Sequence, residues 1–312
     1  MRITALAGGT GAAKLLRGLA RAIDPRALTV IVNTGDDAEI WGLHVSPDLD
    51  TVCYTLGGVI DEAKGWGLRD ETFHALDQIA RFGEPAWFNL GDRDLATHLH
   101  RTRRLRGGQT LTAITRDISQ ALGVAATVLP MSDQPVRTRI LGPDGWLAFQ
   151  EYFVREKAQV DVRAVSYAGA PRATPAPGVV DALRNADAVL VCPSNPITSI
   201  GPILAVPGIV EALQATDATV IAVSPIVGGD AVSGPAGRLM AGAGLPVSAT
   251  GVARAYGGWL DVLVFDERDG VLAGEIRTAG ATPVAAPTMM TSREAEVTLA
   301  RHVLGAIESS SR

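Results

Sequence analysis

The chain is poor in several features that define whole classes of protein. Its 312 residues include only two cysteines. These are Cys53 and Cys192, with no CxxC pair, so no disulfide framework is expected and a reducing cytoplasm is the expected compartment. The five histidines form neither an HExxH motif nor a Cys/His cluster, which argues against zinc. His98 and His100 lie two apart on a predicted helix and so face different ways. Basic charge is not in excess: the formal net charge is -5, which leaves no electrostatic footprint for nucleic acid. One basic run, Arg101-Thr102-Arg103-Arg104-Leu105-Arg106, ends a predicted helix. It reads equally as a solvated helix terminus and as a rim for an anionic substrate. No apolar run reaches the roughly 18 residues of a membrane helix. Met1 to Leu6 leads straight into a strand pattern, so no leader peptide is expected. No GxSxG elbow is present.

What the chain does have is core material. Hydrophobic residues make up 47%, enough for one large domain. Ile3–Ala7 reads as a buried strand, Ala12–Ile23 as a helix with Leu15, Leu16, Leu19 and Ile23 on one side, and Leu28–Val32 as a second strand. Strand patterns return at 126–130, Ala188–Cys192, Thr219–Val223 and Leu260–Phe265, each running into a polar or glycine-rich loop. Glu71–Phe82, Asp94–Leu105 and Thr110–Leu122 have helical spacing. Val136–Leu141 and Trp146–Val154 flank Gly142-Pro143-Asp144-Gly145, a hairpin signal. Ala170–Gly178, with three prolines, reads as a surface connection. The expected fold is α/β, a Rossmann-like doubly wound, mostly parallel sheet in a single domain over 1–312. A helical insertion over 61–123 and a hairpin over 136–154 are expected within it. Ligands of such sheets bind beyond the carboxyl ends of the strands.

The chemistry-bearing residues fall in loops. Gly8-Gly9-Thr10-Gly11-Ala12-Ala13-Lys14 follows a strand and opens a helix, the context of a phosphate cradle, with Lys14 available for an anion. Walker A spacing is absent. Lys14 stands where a dinucleotide fingerprint has its third glycine, and Asn33 where a ribose-binding acid is expected, which disfavours a classical NAD site. Ser46-Pro47-Asp48-Leu49-Asp50-Thr51 and Gly91-Asp92-Arg93-Asp94 place four carboxylates and one guanidinium in two short loop-like segments. Read as extended chain, Asp48 and Asp50 point the same way and suit Mg²⁺, with water and phosphate completing its shell. Arg93 between two aspartates suits a phosphate or another acidic ligand. Pro193-Ser194-Asn195-Pro196-Ile197-Thr198-Ser199-Ile200-Gly201-Pro202 is stiffened by prolines and carries polar tips, and Ser224-Pro225 and Ser233-Gly234-Pro235 repeat that chemistry. Trp41, Trp66, Trp87 and Trp146 lie in or near loop-rich regions, where they suit either a core or the stacking of a flat ring.

Taken together and in order, several segments resemble the 2-phospho-L-lactate transferase family, also called CofD or FbiA. They are Gly8 to Gly11, Pro47 to Thr51, Gly91 to His98, Pro130-Met131-Ser132-Asp133, Pro193 to Pro196 with Ser199 to Pro202, Ser224 to Ile226, Ser233 to Gly237, and Asp261 to Asp269. The resemblance covers nearly the whole chain. It implies a step in making the deazaflavin coenzyme F-420: transfer of a phosphate-linked three-carbon acid from a guanosine diphosphate donor to the deazaflavin alcohol FO, with release of GMP. The acid is 2-phospholactate in some members and phosphoenolpyruvate in others. Tyr54-Thr55-Leu56-Gly57-Gly58 looks like the bacterial members and favours the enolpyruvyl donor. The resemblance further implies Mg²⁺, a cytoplasmic homodimer, and no nucleic-acid or membrane partner. By residue, it implies Asp50, Arg93, Asp92, His98, Met131 and Ser132 at FO, with Asp50, Asp48 and Arg93 at the chemistry. Asp48 and Asp50 would hold the metal, and Gly9, Thr10, Gly11, Lys14, Ser194, Asn195 and Thr198 the nucleotide and its phosphates.

Two other classes stand beside this reading. A dinucleotide-dependent oxidoreductase would bind nicotinamide. A non-catalytic deazaflavin- or nucleotide-binding protein would bind FO without releasing GMP. Neither needs a metal site, and the four carboxylates argue against both.

Overall fold

The computed structural model describes residues 1–310. The chain begins with β1 (Ile3–Ala7), α1 (Gly9–Ala22) and β2 (Leu28–Val32), followed by a ribbon of β3 (Ala38–Ile40) and β4 (Leu43–Val45). Four helices follow: α2 (Pro47–Leu56), α3 (His74–Arg81), α4 (Asp94–Arg106) and α5 (Leu111–Ala121). Next come β5 (Thr127–Pro130), β6 (Arg137–Gly142), β7 (Gly145–Ala148), β8 (Ala164–Ala168), α6 (Val179–Arg184) and β9 (Ala188–Val191). The central part continues through α7 (Gly201–Leu204), α8 (Ile209–Ala215), β10 (Thr219–Val223), β11 (Ile226–Val227), β12 (Asp230–Ala231), α9 (Ala236–Gly242) and α10 (Ala249–Ala255). The last elements are β13 (Val262–Asp266), α11 (Ala273–Thr278), β14 (Thr282–Ala286) and α12 (Arg293–Ser310).

Seven strands form one sheet in the order β14-β13-β10-β9-β1-β2-β5. Every neighbouring pair in it is parallel. The chain winds outward from β1 in one direction to β5, then returns to β9 and winds outward in the other, which is the doubly wound pattern. Both faces are covered, so the strands are continuously apolar: β1 reads ITALA and is buried throughout. Alternation still sorts the side chains. Ile3, Ala5 and Ala7 join Leu190 in a core beneath α1, α2 and α12, whereas Leu6, Val189 and Val191 enter the core on the opposite face. Among the described residues no single helix is long and apolar enough to cross a membrane.

Three local expectations change. Pro47–Leu56 is a helix, not a loop: Pro47 occupies its first turn, where the missing N–H costs nothing, and Asp48 and Asp50 lie in that turn, where anions are favoured. The hairpin over 136–154 is shorter, because β7 ends at Ala148 and Glu151–Arg155 forms a wide helical turn. Its sheet gains a third strand, β8, antiparallel to β6. The connection over 170–178 is not all at the surface, since Ala170, Ala173 and Ala176 are buried in the core. The sequence reading also passed over β14 and α12, the latter packed along α1 with the Arg17–Glu296 ion pair between them.

Candidate active site

A cavity of about 580 Å³ opens where the loops after β1, β2, β9 and β10 converge. β1 and β9 are neighbours in the sheet but leave in opposite winding directions, so the crevice lies at the switch point. On one side is the start of α1. Gly9 has φ +74°, a conformation strained for any side chain, and a Cβ on Gly11 would lie 2.5 Å from the Pro193 carbonyl oxygen. The Gly8 N–H faces Ser194 Oγ at 3.4 Å. Asn195 Oδ1 accepts from the Ile197 N–H at 2.9 Å, which caps a tight wide turn over Pro196–Ile200. Gly9, Thr10, Gly11, Lys14, Ser194, Asn195 and Thr198 all line the cavity. A strap over residues 60–68, closed by the Ile60–Leu68 bridge, brings Lys64 and Trp66 to the rim. Phe149 and Phe153, stacked at 5.5 Å, form another part of the wall.

The floor contains two acidic groupings. In the first, Asp48 Oδ1 accepts from the Gly9 N–H at 2.8 Å and Asp48 Oδ2 from Asn33 Nδ2 at 2.9 Å. Asp36 also lines the cavity, and its Oδ1 is buried without a hydrogen-bond partner. Neighbouring Asp37 accepts from His44 Nε2 and Ser46 Oγ, each at 2.9 Å. Burial pushes the Asp48 carboxyl up to about 6, against the hydrogen bonds from Asn33 and Gly9 and with the Asp37 charge adding. Burial, then the Asp48 charge, lifts Asp36 well above the usual carboxylate range. Two buried acids that resist sharing negative charge, one with an orphaned oxygen, are suited to a hard divalent cation. Among the described residues no three His, Cys, Asp or Glu side chains already form a closed metal cage.

The second grouping is paired. Asp50 meets both terminal nitrogens of Arg101: Nη1 donates to Oδ2 at 3.1 Å, and Nη2 donates to Oδ1. Arg101 Nη1 also lies 3.3 Å from His98 Nδ1, and His98 Nε2 lies 3.3 Å from Asp94 Oδ2. The Tyr54 hydroxyl donates to Asp94 Oδ1 at 2.5 Å, with the Thr97 hydroxyl 2.7 Å away. Burial raises the Asp50 carboxyl, and the Arg101 and His98 charges oppose the rise. Burial also acts to raise Asp94, but His98, Tyr54 and Arg101 outweigh it and hold that carboxyl low.

Asp48 and Asp50 therefore do not act as a pair on one face. Residues two apart are about 200° apart around a helix, so Asp48 turns to the glycine loop and Asp50 to α4. His98, Asp48 and Asp50 line the cavity. Four other expected residues lie outside its lining. Arg93 is exposed, with Nη1 donating to the Arg69 carbonyl oxygen at 2.8 Å beside the strap. Asp92 accepts from Thr72 Oγ1 and from the N–H groups of His74 and Ala75, fastening the start of α3. Met131 is fully buried in the core, and Ser132 Oγ donates to the Thr174 carbonyl oxygen at 2.8 Å. The basic run splits: Arg101 turns inward, Arg104 pairs with Asp117, and Arg106 donates to the Gly42 carbonyl oxygen. Sequence reading missed Arg101, Tyr54 and the Phe149–Phe153 wall. For Arg101 a signal existed, since Asp94, His98 and Arg101 lie at i, i+4 and i+7 on one helix face.

Fold and site together define an open α/β protein with a large acid-floored crevice at its switch point, opened by a helix N-terminus suited to phosphate. The chain belongs to the 2-phospho-L-lactate transferase CofD family, whose model matches residues 3–303. It is 47% identical to the phosphoenolpyruvate transferase of Streptomyces avermitilis over 99% of this chain and 98% of that one. It is 44% identical to the 2-phospho-L-lactate transferase of Methanosarcina acetivorans over 97% and 98%. A crystal structure of a UPF0052-family protein from Bacillus halodurans shares the fold, with TM-score 0.63 and 18% identity over 97% of this chain and 98% of that one.

Proposed function

We propose that the protein transfers the phosphoenolpyruvyl group from a guanosine diphosphate-linked donor to the deazaflavin FO, releasing GMP and forming dehydro coenzyme F-420-0. Support for the reaction class comes from family membership. Support for the enolpyruvyl donor comes from relatives at 44–47% identity named phosphoenolpyruvate transferases, against 42–44% for those named 2-phospho-L-lactate transferases, and from the four at 46–47% all carrying the first name. The carrying observation is one cavity that holds a helix N-terminus with Lys14 on one side and two chemically different carboxylate groupings on its floor.

In this reading Gly9 to Gly11 and Lys14 face the diphosphate, and Ser194, Asn195 and Thr198 face the nucleotide end. Asp36 and Asp48 hold Mg²⁺, which would neutralise charge on the phosphate oxygens when bound. Asp50 accepts a hydrogen bond from the primary hydroxyl of FO and aims its oxygen at the phosphorus bearing the three-carbon acid. The new P–O bond forms as the bond to the GMP phosphate breaks, GMP leaves with that electron pair, and the hydroxyl proton passes to the Asp50 carboxylate. Such transfers depend mainly on positioning and charge neutralisation. Trp66, Phe149 and Phe153 provide flat apolar surface for the ring, and His98 backs the same wall. Arg93 and Asp92 act at the rim, Arg93 through Arg69, next to the strap, whose carbonyl oxygen it grips. A cytoplasmic homodimer belongs to the same proposal.

The test is an endpoint reaction with FO and each guanosine donor, with Mg²⁺ or with EDTA, read by mass spectrometry. GMP plus an FO adduct of the enolpyruvyl mass, lost in EDTA, is the expected result. The lactyl product, heavier by two hydrogens, would replace the donor assignment. FO binding without product would leave a binding protein.

A further inference from the structure

Arg101 is the largest fully buried side chain in the protein, 1% exposed, and it stands directly behind a carboxylate that lines the cavity. A buried guanidinium needs a reason, because desolvating it costs heavily unless every charge is answered. Here the two terminal nitrogens are answered by a chain of contacts, while Nε is buried without a hydrogen-bond partner. Arg101 takes both oxygens of Asp50, and the same Nη1 reaches His98 Nδ1. On its other side His98 Nε2 lies 3.3 Å from Asp94 Oδ2, and Asp94 in turn accepts from the Tyr54 hydroxyl. Asp94, His98 and Arg101 come from one face of α4, and Asp50 and Tyr54 from α2.

We infer that Arg101 is a positioning residue for Asp50. Its planar fork fixes the carboxylate so that the remaining lone pairs face the cavity and accept the acceptor's hydroxyl. This rests on the transfer reading above. A lysine has one point charge and cannot grip two oxygens in one plane, so Arg101→Lys keeps the charge and loses the orientation. His98 and Asp94 act behind Arg101 and limit its rotation.

The experiment uses the full chain and five proteins: wild type, R101K, R101M, D50N and D50N/R101M. The readouts are kcat and KM for FO with the guanosine donor and Mg²⁺, Kd for GDP, and the Mg²⁺ concentration for half-maximal rate. R101K should lower kcat/KM for FO by about 10–100-fold, as loss of a partner that orients a ligating group does. GDP affinity and Mg²⁺ dependence should stay unchanged. In the D50N background, removing Arg101 should change kcat/KM by no more than about twofold, since the interaction has already gone. R101M alone leaves an unpaired buried charge and is expected to fold poorly. The double variant removes both charges, so the comparison of D50N with D50N/R101M is read without it, and R101K stands by itself. Unchanged kcat/KM in R101K, a parallel loss of GDP affinity, or a change well beyond twofold between D50N and D50N/R101M would each overturn the inference. If the wild type turns over neither donor, the transfer reading fails by itself. FO binding by fluorescence then decides for Arg101: weaker in R101K upholds the inference, equal to wild type overturns it.

Discussion

Asp48 and Asp50 are two residues apart, on one helical turn, at the edge of one cavity, and they live in opposite surroundings. Asp48 faces other acids and only neutral donors: a backbone N–H, an amide, and the nearby Asp36 and Asp37 charges. Asp50 faces a guanidinium and an imidazole. The first grouping has no cationic side chain among its hydrogen-bond partners, and in the proposed reading it takes Mg²⁺. The second supplies its own cation in Arg101. Identical side chains thus take up different chemistry because a helix turns them to different neighbours.

The largest test of this contrast is substitution on the unpaired side. Asp48→Asn should lower turnover by about 10²–10⁴-fold and raise the Mg²⁺ requirement. Asp50→Asn should lower turnover while leaving the Mg²⁺ requirement where it was. Magnesium titrations of the two variants check this, and equal Mg²⁺ shifts in both would erase the contrast.

The second test is electrostatic. Asp36 and Asp48 are raised in the folded state, so the native protein binds more protons than the unfolded chain between about pH 4 and the value of about 6 reached by Asp48. The stability these groups contribute without metal should therefore be greatest below that window and fall as pH rises through it, going on falling until Asp36 has ionised as well, with the raised Asp50 acting in the same direction. Carboxylates held low, such as Asp92 and Asp266, act in the opposite direction and at lower pH. Glu296, also raised, acts in the same direction but lies against Arg17 and should not respond to metal. Mg²⁺ at a hundred times its Kd should add about 2.7 kcal/mol near pH 7.5 and far less near pH 5. Thermal melts with Mg²⁺ and with EDTA across pH 4.5–8 read this, and a pH-independent difference would remove Asp36 and Asp48 as the cation site.

Two smaller effects concern the paired side. Arg93→Ala should raise KM for FO by about tenfold, the size of one charge-assisted hydrogen bond, by freeing Arg69 and the strap beyond it, with GDP affinity intact. A loss of GDP affinity instead would place Arg93 with the nucleotide. Phe153→Ala, at the stacked wall, should weaken FO binding by several-fold, the size of an aromatic contact, without changing Mg²⁺ dependence. Fluorescence titration with FO measures it, and an unchanged Kd would remove that wall from the ring site.

Much of the fold was legible in the chain. Ile3–Ala7, Leu28–Val32 and Thr219–Val223 are short apolar runs closed by turn residues, and each is a strand at the expected place. The spacing of Leu111, Ile114 and Ile118 announced α5, and the glycine loop announced the start of α1. α12 carries a readable pattern in Leu299, Ala300, Val303 and Ile307, but Val297 and Leu304 fall off that face and blur it. The segment holding Asp48 and Asp50 was read as extended because only ten residues, with modest apolar periodicity, form that helix. On short elements tertiary packing outweighs local pattern.

The sequence by itself determined the order of strands and helices, the glycine loop, and which residue types are present for phosphate chemistry. Periodicity and turn residues are local properties that a single chain displays. Only the tertiary structure decided that Asp36 meets Asp48, that Arg101 leaves a basic run to bind Asp50, and that Met131 lies in the core. These are contacts between residues up to 51 positions apart, set by how α2 and α4 pack, and charge pairing across such distances has no signature in either segment alone.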